Sequence, residues 1–514
     1  MEFYRDSYDA IIIGGALAGL ASAITLGKNG KKVLVLEQHN LPGGLATSFV
    51  RNEFEFEATL HEMMSIGPEE APLKIRTFFE ETGVDIDWLR VPEAYRVILP
   101  NSDIDVTLPA GFEEMASAID KRVPGQKAEV LKLMHLCNTV YNSVNVLSVT
   151  PMSKVQMLMK HPEFVKTAGY SAKEVLDTFH FKKETVELLS PYWIYVGEPL
   201  DNLPFTVYAV LMADYFGGGS YVCRGFSHEM SMAMVKRAEE YGAQIEYRQK
   251  VEKILVENGH VTGVKTARGD VIHSDYVISG AYPNKVYTSM IEPLNAVPEG
   301  AVKMVNGRKL GVTSFSVMMI LDDTPENLGI DSYSIFSGPT MDTEEIWAQY
   351  QTLEPYEYIT SICLNLANPG CTPKGYTQLS ITALPLAKPW LEVTEDTYYE
   401  TKRRIAKGMI EAYGKLIGTN LLDHIVEIEI ASPMTVAHYT GAWNGGVYGY
   451  QHCQQDNIVA RLTMQEEDHF IDGLEFAGAH AISGNGMAPA ITNGRKAAKN
   501  VLDAMKAKEE AAKA

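Results

Sequence analysis

At 514 residues the chain is too long for one hydrophobic core, so two domains, sequential or intertwined, are expected. Its 46% hydrophobic and 21% charged residues make it globular, and a formal net charge of −20 excludes nucleic acid as a partner, because phosphates would be repelled. Five scattered cysteines, Cys137, Cys223, Cys363, Cys371 and Cys453, contain no C-x-x-C pair, which argues against a disulfide framework or a zinc site and for a reducing, cytoplasmic location with no metal.

The chain opens on Tyr8–Gln38, YDAIIIGGALAGLASAITLGKNGKKVLVLEQ. Ala10–Ile13 is a short apolar run ending at Gly14 and Gly15, the pattern of a buried parallel strand. A small-residue helix is predicted from Leu17 to Lys28, with Gly30 as its stop. Lys32–Leu36 is a second buried strand and ends in Glu37. This is a βαβ dinucleotide-binding pattern, in which helix amides face a pyrophosphate and Glu37 accepts bonds from ribose hydroxyls. One position departs from the glycine fingerprint: between Gly14 and Gly19 the middle glycine is Ala16, whose methyl crowds the phosphates. An ordinary α/β unit without nucleotide is the alternative. The uncharged run Ala10–Gly27 does not read as a membrane span or signal peptide, because acidic Glu2, Asp6 and Asp9 precede it and Gly14-Gly15 divides it.

Pro42-Gly43-Gly44 follows the acid as a turn whose glycines let backbone amides approach a phosphate. Phe49–Glu57 alternates as a hairpin, and a loop containing His61 comes next. The spacing acid–x(4)–P-G-G, the Phe-x-Phe-acid hairpin and the His loop resemble the FAD-dependent group of phytoene desaturases, carotenoid isomerases and retinol saturases.

Glu69–Phe216 reads as mostly helical, with amphipathic stretches at Leu73–Thr82, Phe112–Val123 and Ala128–Val149. Pro151–Lys173 carries Lys154, Lys160, Lys166 and Lys173 among Met152, Val155, Met157, Leu158, Met159 and Phe164. Two readings stay open for it: a segment resting on a membrane surface, or a core-facing helix with a solvated lysine face. Tyr221–Met230 leads into a helix ending at Tyr241, and strands are predicted at Gln244–Tyr247, Val251–Asn258, His260–Ala267 and Val271–Ser279. Beyond Lys285, strands alternate around a long helix near Glu395–Leu416, with a turn at Asn368–Gly375 and a glycine-rich aromatic loop at Tyr439–Tyr450. Asp472–Asn500 reads as a strand over Leu474–Ala477, a tight loop at Gly484–Met487 and a helix over Pro489–Ala504, followed by a frayed tail.

The resemblance runs from Tyr8 to about Ala504. It implies an α/β fold with a Rossmann-like FAD-binding domain of the GR2 type, built from segments 1–68, 217–285 and 441–514. An α+β substrate domain is implied over 69–216, helical, and 286–440, sheet-rich. The FAD contacts it implies are Gly14, Ala16, Leu17, Ala18, Gly19, Glu37, Gln38, Gly43, Gly44, Leu45, Met63 and Met64, then Val251 against the adenine, Gly280 and Ala281, and at the close Gly478, Ala479, Asn485, Gly486 and Met487. Two departures weaken the match. Ala479 stands where the family has a ribityl-binding Asp, and of Tyr-Tyr-Pro-x-Gly-Gly only Tyr221 and Gly225 keep the frame. Loosely bound FAD is therefore expected, with NAD(P) alone as the alternative cofactor.

The activity implied is desaturation, saturation or cis-trans isomerisation of a long hydrophobic substrate such as a carotenoid, retinoid or unsaturated lipid. The alternative is a flavin-binding relative without catalysis that holds a lipid or a protein. His61 and Glu62 are the first candidates for proton transfer and His480 the next, because His titrates near neutral pH and a buried carboxylate is tuned upward into that range. Arg224 and Tyr450 are candidates for orienting groups.

Overall fold

The computed structural model describes residues 7–59, 61–148, 150, 152–458, 460, 461, 470–481, 484 and 486–513. Strand β1 (Ala10–Ile13), helix α1 (Leu17–Lys28) and strand β2 (Val33–Leu36) form the opening βαβ unit, and every residue of both strands is buried. The hairpin β3 (Ser48–Arg51) and β4 (Phe54–Glu57) follows, then α2 (Lys74–Thr82). Three strands come next where helices were expected: β5 (Trp88–Arg90), β6 (Tyr95–Leu99) and β7 (Ile104–Leu108). The reason is a period of two, since Tyr95, Val97 and Leu99 are buried and Arg96 and Ile98 between them are less so. The helices α3 (Phe112–Arg122), α4 (Lys127–Leu147), α5 (Lys154–Lys160) and α6 (Pro162–Thr167) precede a long buried helix at Phe205–Gly218.

The chain then returns through β8 (Tyr221–Cys223), the helix Phe226–Glu240, β9 (Gln244–Glu246), β10 (Val251–Glu257) and β11 (His260–Thr266). The run Val271–Ser279 is two strands rather than one, β12 (Val271–His273) and β13 (Val277–Ser279). Ser274 Oγ accepts from Tyr276 N at 3.2 Å, and this local turn sends the halves into different sheets. Next come β14 (Ile291–Glu292), β15 (Phe315–Leu321), β16 (Ser334–Ser337), β17 (Ile359–Cys363), β18 (Thr377–Ala383), the helix Glu395–Ile417 and β19 (Ile425–Ala431). Strand β20 (Leu474–Phe476) and the helix Met487–Lys513 close the chain. The tail expected to fray is part of that helix, and Lys508 Nζ donates to Asp275 at 2.7 Å.

The sheet β20-β13-β1-β2-β9 is parallel throughout. A second sheet, β12-β11-β10-β14, stands beside it, and a seven-stranded sheet runs β19-β15-β18-β17-β16-β6-β7. Helix α1 is wedged between the parallel sheet and the closing helix. The fit is close: a Cβ at Gly494 would lie 2.0 Å from Ala18 O, and Ser22 Oγ donates to Gly494 O at 2.9 Å. Segments 472 residues apart are thus locked together under the cofactor pattern of the first.

Candidate active site

One continuous cavity of about 1640 Å³ runs between the parallel sheet and the seven-stranded sheet. Pockets for a single drug-sized ligand span about 300–1,000 Å³, so this one has room for a nucleotide cofactor and a second molecule.

Its nucleotide end is built by the βαβ unit. Gly14, Ala16, Leu17, Ala18, Gly19, Glu37 and Gln38 all line it. A Cβ at Gly19 would sit 2.0 Å from Gly14 O, so only glycine lets α1 start so close to the end of β1. Ala16 is the N-cap of α1 and gives no side-chain cap, which leaves the first-turn amides to a ligand. Its methyl faces the Pro-Gly-Gly turn: a Cβ at Gly44 would come within 2.9 Å of it. Glu37 is 8% exposed, and its carboxylate accepts from Gly15 N at 2.6 Å and His39 N at 2.7 Å. Those two amides orient it. Gly43, Gly44, Leu45, Val251, Gly280 and Ala281 border the same end. So do Lys250 and half-buried Lys285, whose ammonium burial pushes below its usual range. Buried Gln249 Oε1 has no partner among the described residues and also lines the cavity.

At the closing segment, Gly478, Ala479, His480, Gly486 and Met487 line the cavity; Asn485 lies outside the described residues. Asn493 Nδ2 donates to Gly478 O at 2.8 Å and so ties the turn to the closing helix. That helix begins at Met487 with its positive dipole end on the cavity. His480 is 4% exposed and its Nε2 lacks a partner among the described residues. Burial, with Arg308 and Arg461 nearby, holds its pKa down at about 3, so the ring is neutral.

Between the two ends stands the loop His61–Met64. Met63 exchanges backbone bonds with Tyr221, N to O at 2.8 Å and 3.1 Å, which fixes the loop against β8. Glu62 accepts a hydrogen bond from Tyr195 OH at 2.9 Å on Oε1, while Oε2 is buried with no partner among the described residues. Burial raises the Glu62 pKa to about 8 against the lowering effect of Tyr195, so the carboxyl is protonated at neutral pH. His61 is neutral, its pKa pulled down to about 4 by burial, and its Nε2 lies 3.3 Å from Thr382 Oγ1. Tyr195 packs on Tyr192, Tyr215 and Phe336 at centroid distances of 5.2, 5.5 and 5.8 Å. Beyond it Val144 of α4 and Val207, Val210 and Leu211 of the helix Phe205–Gly218 give the wall an apolar stretch, with Asn142, Asn145, Ser148 and Thr206 interspersed.

His61, Glu62, His480 and every described cofactor candidate therefore face one cavity. Two candidates do not. Arg224 is exposed and pairs with Asp87 at 2.5 Å, so it cannot orient a substrate. Tyr450 is fully buried behind the wall, donating to Asn284 and lying under Arg308, whose guanidinium carbon is 4.1 Å from the ring centroid. Sequence reasoning missed Tyr195 and the hydroxyls Ser314, Ser316 and Thr382, all of which line the cavity. A signal for the last two existed: Ser316 and Thr382 alternate with core residues on strands buried on both faces. It also missed buried Arg461, which donates to Asp456 at 3.0 Å and supports the closing segment through His452 at 3.2 Å.

A parallel sheet with a glycine-opened helix N-terminus, joined to a deep cavity that reaches the seven-stranded sheet, defines a nucleotide-cofactor enzyme fold. The chain belongs to the family of flavin containing amine oxidoreductases, whose model matches residues 17–502, and the cofactor is accordingly a flavin. Among curated proteins it is similar to the chloroplastic prolycopene isomerase of Daucus carota, 24% identical over 95% of this chain and 78% of the relative. It is also similar to the all-trans-retinol 13,14-reductase of Rattus norvegicus, 25% identical over 87% of this chain and 78% of the relative. In fold it resembles an oxidoreductase from Methanosarcina mazei, with a TM-score of 0.64 at 15% identity over 97% of this chain and 99% of the other. Putrescine oxidase bound to putrescine shares the fold at a TM-score of 0.63 and 14% identity, again over 97% and 99%.

Proposed function

We propose that the protein is an FAD-dependent oxidoreductase or isomerase that acts on C–C or C=C bonds of a long hydrophobic substrate. The observation that carries this reading is the single cavity that joins the nucleotide unit to an apolar end, with protonated Glu62 between them. The residues present fit FAD. The α1 amides and the Lys250–Lys285 charge suit a diphosphate, Glu37 suits ribose hydroxyls, and Gln249 Oε1 and His480 Nε2, without partners among the described residues, suit polar groups of the cofactor. FAD, when bound, supplies exchange of a hydride equivalent with carbon. The chain's part is to hold a C–H or C=C in place with the apolar wall, to exclude water, and to give or take a proton at Glu62 Oε2. His61 and His480, both neutral, act there as hydrogen-bond partners. Loose cofactor binding would follow from Ala16, whose methyl crowds the diphosphate where the fingerprint has glycine, and from Ala479, which offers no carboxylate to the ribityl chain.

A peripheral membrane contact through residues 151–173 belongs to the same reading. Among the described side chains, Val155, Leu158 and Met159 of α5 are 67%, 58% and 77% exposed. Met152 and Met157 pack inward and Phe164 is buried, which suits the core-facing alternative, while Val155, Leu158 and Met159 suit a surface contact. The segment follows directly on the end of α4, whose Val144, Asn145 and Ser148 line the cavity. Among the described residues, no helix is long and apolar enough to cross a membrane.

The test has two steps. Absorbance of the denatured supernatant should show FAD; nicotinamide without flavin bands would end the cofactor reading. Anaerobic photoreduction followed by mixing with polyenes or unsaturated fatty acids should then reoxidise the flavin or yield product. Tight lipid binding with neither would establish the non-catalytic binding protein instead.

A further inference from the structure

The helix Glu395–Ile417 brings Tyr398, Tyr399 and Lys402 to the cavity wall at helical spacing, so the three side chains share one face. The ammonium of half-buried Lys402 lies 5.3 Å and 5.6 Å from the two ring centroids and donates to Ile430 O of β19 at 3.3 Å. Tyr398 is itself fixed, its hydroxyl 2.9 Å from Ser432 Oγ. Rings and carbonyl hold the ammonium in place but do not cancel its charge. No carboxylate pairs with it among the described residues, and two of its three N–H donors are left for a ligand.

The other lysines and arginines on the cavity wall are differently engaged. Arg51 pairs with Glu429, Arg461 with Asp456, and Arg495 lies 3.7 Å from Glu81. Lys250 and Lys285 belong to the nucleotide end, and Lys74 stands apart at the start of α2. Half-burying an ammonium without an anion costs free energy that an anionic ligand recovers.

Its place suits the rest of the site. Ala431 of β19 is opposite Ser316 of β15, Ser316 is opposite Thr382 of β18, and His61 reaches Thr382 at 3.3 Å. Two strand spacings, roughly 10 Å, therefore separate the Lys402 side of the sheet from the His61–Glu62 loop. An anionic head group at Lys402 leaves hydrocarbon, not the head group, beside Glu62, with Met318 and Met434 on the wall between the ends. One uncompensated positive charge is balanced by one carboxylate, whereas a phosphate monoester carries about −1.5 to −2.

We propose that Lys402 binds the carboxylate of the substrate, which makes the substrate class a long-chain unsaturated fatty acid. The inference rests on the lipid reading given above and narrows it.

The FAD-loaded protein is dialysed to equilibrium against linoleate, methyl linoleate and the hydrocarbon squalene, each below the concentration at which it aggregates. Linoleate should bind about tenfold or more tighter than its ester, and the gap should narrow at high salt. Lys402→Met should abolish that preference while FAD content and affinity for the ester stay unchanged. Lys402→Arg keeps the charge and should retain most of it, and Lys74→Met should leave it intact. Three results overturn the inference and leave the lipid reading standing: equal binding of acid and ester by the wild type, a preference that survives Lys402→Met, or one lost equally in Lys74→Met. Loss of FAD from Lys402→Met also overturns it, by assigning the lysine to the cofactor. Binding of none of the three ligands overturns both.

Discussion

Tyr195 OH donates to Glu62 Oε1 at 2.9 Å and leaves the buried Oε2 with no protein partner among the described residues. On the proposed reading, this carboxyl carries the proton to or from whatever occupies the cavity. Glu62→Gln should lower turnover by about 10²–10⁴-fold with flavin retained, the usual weight of general acid–base catalysis. On the same reading Tyr195 acts through Glu62, as a positioning residue. Its hydrogen bond favours the ionised carboxylate, so Tyr195→Phe should move the alkaline limb of the pH–rate profile to higher pH. A Glu62→Gln enzyme with full turnover would remove Glu62 from the chemistry.

Glu62 also makes stability depend on pH. Its carboxyl titrates at about 8 folded and near 4.5 when free, so between those values the unfolded chain has lost a proton that the folded one keeps. Stability must then fall as pH rises through this window, by on the order of 4–5 kcal/mol in total. His61 and His480 work at the other end. Their folded pKa values of about 4 and about 3 lie below 6.5, so the unfolded state binds protons first and stability falls as pH drops below 6.5. Thermal melts across pH 4–9 should show Glu62→Gln matching the wild type near pH 4.5 and exceeding it at pH 8.

Flavin affinity should respond to position 479. A charge-assisted hydrogen bond contributes about 1.5–3 kcal/mol, so Ala479→Asp should tighten FAD by about ten- to a hundredfold in a fluorescence titration. Unchanged affinity would mean that other groups, such as those around His480, already hold that part of the cofactor. Gly19→Ala is the counter-test. Its methyl would press on Gly14 O, and flavin content and melting temperature should fall together.

Membrane contact can be separated from catalysis. Leu158→Glu with Met159→Glu replaces two exposed apolar side chains of α5 by charges. Sedimentation with vesicles containing anionic lipid should drop several-fold, while FAD content and turnover on detergent-dispersed substrate stay the same. Wild-type protein that never pellets with such vesicles would remove the membrane from the account.

What the sequence determined by itself was local. The strand, helix and strand of Ala10–Leu36 were legible to the residue or nearly so, because apolar runs only four or five residues long, bounded by glycines or charges, read as buried parallel strands and glycines mark the ends of α1. The cofactor end of the cavity was legible for the same reason, since the amides that bind a diphosphate come from consecutive residues. The proton site was only half legible. His61 and Glu62 could be named from the loop they occupy, but Tyr195, 133 residues away, and Thr382, 321 residues away, are joined to them only by packing between sheets and helices. Tertiary structure alone decided that Arg224 faces solvent beside Asp87, that Tyr450 sits behind the wall and that β6 and β7 join the seven-stranded sheet. Each of these depends on which buried surface a residue meets, and no local pattern records that. The same holds for protonation: Glu62 keeps its proton because burial withholds solvation from its charged form, a condition that exists only once the distant segments have come together.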